Sequence, residues 1–182
     1  MIHAMANLTE LSTRARADFV AALEGIFEHS PWVAERAWEK RPFATREALW
    51  RALVEAMTTA PPDLQLGLVR AHPELAARRG ALTLASTGEQ AGSGLLTESE
   101  ETRRIAALNA LYGARFGHPF ILAVRGFTPE GILANFESRL ESTPEAELAE
   151  CLTQIGRIAR FRLEDRFPGT APAGQLGDVP AE

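Results

Sequence analysis

Apolar residues recur at intervals of three and four positions along most of the chain, which is the spacing of one face of an α-helix. Proline, serine and threonine stand at many of the breaks, where their chemistry suits the first turn of a helix. The pattern predicts helices over 13–28, from Pro31, from Thr45 to just before Pro61, and over 64–70, 73–80, 97–116, 129–141 and 144–167.

One apolar stretch does not follow this spacing. Pro119 to Val124 form a continuous apolar run, which fits either a buried extended strand or a buried linker. We therefore expect an all-α fold: a single compact bundle of about eight helices with one short non-helical apolar segment near residue 121. The helical domain is expected to cover residues 1–167, and residues 168–182, which are poor in apolar side chains, are expected to form a flexible tail.

Composition narrows the class of protein. The chain has 182 residues, 46% of them hydrophobic, with a formal net charge of −5 and one cysteine, Cys151. Lysine and arginine are scattered, so no nucleic-acid partner is expected. A single cysteine excludes an internal disulfide, and no stretch approaches the roughly 20 apolar residues of a transmembrane helix. We expect a cytoplasmic protein with no membrane partner.

His72 is the first candidate for chemistry, because it directly precedes Pro73 in "LVRAHPELAARRG". Proline disfavours the α conformation at the preceding residue, which predicts that His72 lies at the cap of the next helix, beside its free N–H groups. Their positive potential favours a neutral imidazole, which can accept or donate a proton near physiological pH. The same dipeptide also fits a simple capping or surface histidine.

Hydrogen-bonding residues and glycines concentrate in "ASTGEQAGSG", residues 85–94. Ser86 and Glu89 have the spacing of a capping box, which explains Glu89 without any function. A polar loop of this kind also suits a small polar ligand.

Arg162 follows Ile155 by seven positions, on the inward stripe of the last predicted helix. Its guanidinium must either reach solvent or meet an anionic partner, because an unpaired buried charge is costly. Arg125, at the end of the apolar run, raises the same question.

Other kinds of site have weaker support. His72, Glu89 and His118 could be imagined as metal ligands, but no pair has the His-x-x-x-His spacing of a helix-face site, so we expect no metal. The Gly-x-Ser-x-Gly nucleophile pattern and a glycine-rich phosphate loop are also absent from the sequence.

Several motifs together resemble one known family. In chain order they are "FEHSPWVAERAW" (27–38), "AHPELA" (71–76), "STGEQAGSGL" (86–95), "LNALYGARFGHPFILAVRG" (108–126) and "IGRIARFRLEDRF" (155–167). Each motif is weak alone, but their order is similar to that of OHCU decarboxylase, which acts on 2-oxo-4-hydroxy-4-carboxy-5-ureidoimidazoline (OHCU) in urate breakdown. The chain departs from the family pattern at Arg115 and His118, where lysine and phenylalanine are frequent.

The resemblance implies an all-α fold, a cofactor-free decarboxylation that yields (S)-allantoin and carbon dioxide, a small anionic substrate, and usually a homodimer. The family's catalytic histidine falls on His72, its glutamate on Glu89 and the arginine of its terminal helix on Arg162. Arg157 and Arg160 are close enough to Arg162 that either could be the matching arginine instead. The substrate-binding positions that the resemblance implies are Pro73, Ser86, Thr87, Gly88, Gln90, Ile121, Leu122, Ala123, Val124 and Arg125.

These residues suggest a mechanism in which neutral His72, hydrogen-bonded with Glu89, engages the substrate hydroxyl and assists loss of the carboxylate. Two alternative functions are compatible with the same residues. One is a non-catalytic helical module that binds a small ligand or a protein, and the other is a metal-dependent hydrolase.

Overall fold

The computed structural model describes residues 8–75 and 98–168 of the chain. Within these ranges the protein has no strand, and the prediction of an all-α fold is confirmed. The helices are α1 (Leu8–Thr13), α2 (Arg16–Ala22), α3 (Pro31–Ala37) with a 3-10 turn at Trp38–Lys40, α4 (Arg46–Thr58), α5 (Pro62–Ala71), α6 (Glu98–Phe116), α7 (Pro129–Leu140) and α8 (Pro144–Arg166).

Threonine caps begin three of these helices. The hydroxyls of Thr45, Thr128 and Thr143 accept hydrogen bonds from backbone N–H groups three residues later, at N···O distances of 3.0, 3.1 and 3.3 Å. Such caps satisfy N–H groups that have no partner within the helix. The helix starts that the sequence predicts at these threonines are confirmed.

The first predicted helix, over 13–28, is wrong. The chain instead forms α1 and α2, and α2 ends at Ala22. Gly25, with a φ of 79°, and His29, with a φ of 46°, adopt left-handed conformations that an α-helix cannot contain. Ile26 and Phe27 are nevertheless buried in the core. These residues lie in turns but have the apolar spacing of a helix, which explains the wrong prediction.

The region around His72 also differs from the prediction. Helix α5 ends at Ala71, and His72 is its C-terminal cap with an extended backbone (φ −71°, ψ 137°), as expected for a residue before proline. Pro73 and Glu74 are not helical, so the predicted helix does not begin at Pro73. Residues 76–80 of that predicted helix lie outside the described residues.

The apolar run near residue 121 is a buried linker rather than a strand. Residues 119–124 have no regular secondary structure, yet Ile121, Leu122 and Ala123 are all buried. The side chains of Phe120, Ile121 and Leu122 alternate between two apolar clusters, as those of extended chain do. Ile121 belongs to the larger apolar cluster, which includes residues of α3, α4 and α8, whereas Leu122 belongs to a second cluster with residues of α6 and α7.

Among the described residues, none of the helices combines the length and the apolar character that a membrane span requires. Residues 169–182 lie outside the described part of the chain, so the flexible tail stays a prediction.

Candidate active site

His72 is buried, with only 6% of its surface exposed. Its backbone N–H donates to the carbonyl of Val69 (N···O 3.2 Å), which closes the last turn of α5. His72 therefore stands at the carbonyl end of α5. The sequence predicted instead the N-terminal end of the following helix.

The residues on either side of His72 are connected to the segment that leads into the linker and to its apolar clusters. Arg70 donates from Nε to the carbonyl of Gly117 at 3.2 Å. On the two sides of His72, Val69 belongs to the same buried cluster as Ile121, and Leu75 belongs to the same cluster as Leu122. The residues that flank His72 therefore pack in the same two apolar clusters as the linker, which the resemblance implies is a binding segment.

Two buried side chains hold the main chain of this linker. Arg139 of α7 donates from Nη1 to the carbonyl of Ile121 at 2.7 Å, and Gln154 of α8 accepts from the N–H of Ala123 at 3.0 Å. The N–H of Ala123 is therefore used within the protein, and the Ile121 carbonyl has one strong donor already.

Arg125 is exposed and ties the end of the linker to the last turns of α8. Its guanidinium lies 3.2 Å from Asp165 and 3.7 Å from Glu164, and its carbon Cζ lies 4.2 Å above the ring of Phe161. The two carboxylates therefore compensate the positive charge of Arg125 at the protein surface.

Arg139 belongs to a buried polar cluster of four side chains, which we call the buried cluster: Tyr112, Arg139, Glu147 and Cys151. Arg139 Nε donates to Glu147 Oε1 at 2.9 Å, and its Nη2 donates to the Cys151 sulfur at 3.3 Å. The Tyr112 hydroxyl donates to the same carboxylate oxygen and lies 3.4 Å from the sulfur.

The charges of the buried cluster follow from its surroundings. Burial raises the pKa of the Tyr112 hydroxyl, and it raises the pKa of the Cys151 thiol to about 11 against the opposing effects of Tyr112 and Arg139. Burial lowers the pKa of the Arg139 guanidinium, but the hydrogen bonds to Glu147 and the electrostatic interactions with Cys151, Glu147 and Tyr112 together raise it above its ordinary value. At neutral pH the Arg139 guanidinium is therefore charged, whereas the Tyr112 hydroxyl and the Cys151 thiol are neutral.

Arg162 meets an anionic partner inside the protein. Its guanidinium forms an ion pair with Glu28 and donates from Nη1 to the carbonyls of Gly25 (2.8 Å) and Ile26 (3.0 Å). Only 20% of each side chain of the ion pair is exposed. In this structure Arg162 therefore closes the turn between α2 and α3.

The two neighbouring arginines lie elsewhere. Arg157 and Arg160 line an open groove of about 720 Å³ between α4 and α8, together with Trp50. Arg160 also forms ion pairs with Glu47 (3.4 Å) and Glu164 (3.5 Å). Neither His72 nor Arg162 lines this groove.

The structure describes only some of the other predicted site residues. Pro73 is exposed beside His72. Glu89 and the binding positions Ser86, Thr87, Gly88 and Gln90 lie outside the described residues, so a cavity shared by His72, Glu89 and Arg162 stays a prediction. Within 8–75 and 98–168, no three histidine, cysteine, aspartate or glutamate side chains are grouped to hold a metal ion.

The profile of the OHCU decarboxylase family matches residues 12–164. The chain belongs to the OHCU decarboxylase family. It is 41% identical over 150 residues to the 2-oxo-4-hydroxy-4-carboxy-5-ureidoimidazoline decarboxylase of Haloferax volcanii, covering 82% of this chain and 89% of that protein. It is 32% identical over 163 residues to the mouse protein of the same name, covering 87% and 92%. The chain is thus a member of a family of carboxy-lyases.

Longer proteins also match this family member. The uric acid degradation bifunctional protein of Bacillus sp. TB-90 is 37% identical over 165 residues, which are 90% of this chain but 32% of that protein. Among solved structures, an (S)-allantoin synthase matches with a TM-score of 0.71 at 31% identity, over 88% of this chain and 54% of that one. The chain therefore spans about a third and about half of these two longer relatives.

A further solved structure, OHCU decarboxylase in the presence of (S)-allantoin, supports the fold. It has a TM-score of 0.64 at 19% identity and covers 79% of this chain and 96% of that one.

Arg139 and Glu147 are not among the site residues that the sequence predicts. Both were detectable by the argument that singled out Arg162, since Arg139 follows the buried Phe136 by three positions and Glu147 precedes the buried Cys151 by four. A charged residue on an inward stripe must find a partner, and here the two find each other across the α7–α8 turn.

Proposed function

We propose that this chain catalyses the cofactor-independent decarboxylation of OHCU to (S)-allantoin and carbon dioxide in urate breakdown. Membership of the family supports the reaction class. The observation that carries the assignment to a site is the position of buried His72 between Val69 and Leu75, which share apolar clusters with Ile121 and Leu122 of the linker. In this proposal, a buried titratable side chain acts on a substrate that the fixed main chain of the linker holds.

The substrate supplies its own electron sink. When the bond to the carboxylate breaks, carbon dioxide leaves and the electron pair moves towards the ring C=N bond, so no cofactor is needed to accept it. A proton is then delivered to one face of the ring, which sets the S configuration. The protein has to orient the carboxylate, stabilise the enolate-like state and control that proton.

In this proposal the neutral imidazole of His72, hydrogen-bonded with Glu89, engages the substrate hydroxyl. Residues 86–90, Pro73 and main-chain groups of Ile121–Arg125 hold the ring and the ureido arm. Arg162 offsets the negative charge of an anionic substrate, and to do so its guanidinium has to be shared with Glu28. The enzyme is further proposed to be cytoplasmic and to form a homodimer. A molar mass measured by light scattering tests the dimer directly.

The test of the proposed function is a stereospecific assay. Freshly generated OHCU is mixed with the enzyme, and the circular-dichroism signal of (S)-allantoin is followed. We expect the wild-type chain to accelerate its formation and His72→Asn to reduce turnover by about 10²-fold or more, because the proton-transferring group is lost. Retained stereoselective activity in His72→Asn would reject the role of His72.

His118 offers a matched control, because it also precedes a proline and is also 6% exposed. Its ring packs against those of Tyr112 and Phe116. His118→Asn is expected to retain activity within about tenfold. Activity that disappears with a chelator would favour the metal-dependent hydrolase, and no acceleration by the wild-type chain would favour the non-catalytic binding module.

A further inference from the structure

The linker over residues 119–124 has no helical or sheet hydrogen bonds of its own, although it is the proposed binding segment. Its main-chain groups can position a substrate only if other residues fix them. The contacts that do so come from α7 and α8: Arg139 holds the carbonyl of Ile121, and Gln154 holds the N–H of Ala123.

Arg139 is itself held from several sides. Glu147 and Cys151 orient the guanidinium, and its carbon Cζ lies 4.5 Å above the ring of Phe120, the residue before Ile121. The Arg139 side chain is 8% exposed and the Glu147 side chain is fully buried. A rigid guanidinium fork is suited to such a site, because it bonds a carboxylate and a carbonyl at the same time.

Stability alone does not account for this ion pair. Desolvation of two charges offsets much of their attraction, and well-packed apolar residues often replace a buried pair without loss of stability. Only one oxygen of Glu147 receives the bonds, and its buried Oε2 has no hydrogen-bond partner among the described residues. What an apolar pair could not provide is the donor that fixes the Ile121 carbonyl.

We propose that Arg139, held by Glu147, is a positioning residue for catalysis: it sets the main chain of Ile121–Arg125 in the geometry that binds the substrate. This inference rests on the proposed function of that segment. Gln154 acts with it as the second anchor, two residues along the linker.

The test removes the pair as a unit in Arg139→Met/Glu147→Leu, which leaves no unpaired buried charge. We expect cooperative unfolding as in the wild type, a KM for OHCU raised at least about tenfold, and a smaller change in kcat, because a binding contact is lost. Hydrogen exchange of the peptide that contains residues 119–127 should be faster. Unchanged KM and unchanged exchange in the folded double variant would overturn the proposal.

A matched control comes from the same helix. Arg104 and Glu137 form an exposed ion pair between α6 and α7, so Arg104→Met/Glu137→Leu should leave KM and exchange unchanged. If the buried double variant does not fold, Gln154→Met tests the second anchor with no charge involved, and it should raise KM and linker exchange in the same direction.

The exchange measurement separates this proposal from the proposed function. If the wild-type chain lacks decarboxylase activity, the proposed function fails, and faster linker exchange in the double variant would still assign the anchoring role. If the wild-type chain is active and the folded double variant keeps its KM and its slow exchange, only the positioning role fails.

Discussion

Arg162 shows how a charged residue on an inward stripe can be satisfied within the protein. Its guanidinium bonds two carbonyls of the α2–α3 turn and pairs with Glu28. The positive φ of Gly25 belongs to the same turn, so the turn and the arginine form one unit. The sequence left open whether Arg162 meets solvent or an anion, and the structure supplies the anion.

This arrangement predicts a loss of stability in Arg162→Lys. One ammonium group cannot span both carbonyls and Glu28 as the guanidinium does, so we expect the free energy of unfolding to fall by about 1–3 kcal/mol in urea titrations. Arg157→Lys, at an exposed position of the same helix, should change it by less than about 0.5 kcal/mol.

The same pair of variants separates two roles for Arg162. If Arg162→Lys keeps full stability but loses decarboxylation, the guanidinium acts on the substrate and the contacts to the α2–α3 turn are incidental. A parallel loss of both is expected if it supports the turn and the site together.

At the scale of elements, the residues that begin the helices determine much of the fold. Helices α7 and α8 each begin with a threonine cap followed by proline, and the turn between them places Arg139 in the last turn of one helix and Glu147 in the first turn of the next. Both charges are favourable there, because the helix C-terminus attracts a cation and the N-terminus an anion. The local signals at 143–144 therefore help to set the buried cluster.

The cap of α8 is testable by itself. Thr143→Ala removes the acceptor for the Ala146 N–H and should lower the free energy of unfolding by about 1 kcal/mol, whereas Thr143→Ser keeps a hydroxyl and should cost much less. Equal destabilisation by alanine and serine, measured by urea unfolding, would show that the methyl group rather than the hydrogen bond matters.

At the scale of the whole molecule, the buried cluster lies where the two apolar cores meet. Cys151 belongs to the larger cluster and Tyr112 to the second, and the linker passes between them with Ile121 on one side and Leu122 on the other. A change in charge at this junction should therefore affect both cores.

Alkaline conditions test this dependence. Burial raises the pKa of the Cys151 thiol from its ordinary value of 9.0 to about 11, so the folded state holds its proton more tightly than the unfolded state does. The stability linked to that proton is complete below pH 9.0 and is lost as the pH rises through about 11. Tyr112, whose pKa is also raised from 10.0, acts in the same direction.

We therefore expect the free energy of unfolding to fall by up to about 1.4 kcal/mol per pH unit for each such group across this range. In Cys151→Ala the contribution of the thiol is absent, and the slope against pH should be shallower even if the variant is less stable at neutral pH. Parallel slopes for the two proteins, measured by urea unfolding from about pH 8 to about pH 11, would contradict the assignment.

The predictions that the structure contradicts concern helix boundaries, where the same local pattern of residues fits more than one backbone conformation. Ile26 and Phe27 continue a helical spacing, but Gly25 and His29 turn the chain, and spacing alone does not distinguish a helix from turns that bury the same residues. The sequence predicts His72 at the start of a helix because proline commonly begins one, whereas the structure shows that His72 ends α5.

The sequence by itself determined the all-α class, the starts of α4, α7 and α8, the buried segment near residue 121 and the family, because each depends on residues that are close along the chain or on motifs in order. Only the tertiary structure decided that Arg139, paired with Glu147, bonds the Ile121 carbonyl, that Arg162 pairs with Glu28, and that buried His72 ends α5. The spacing of residues shows which face of a helix is buried, but the partner of a buried charge depends on how the helices pack.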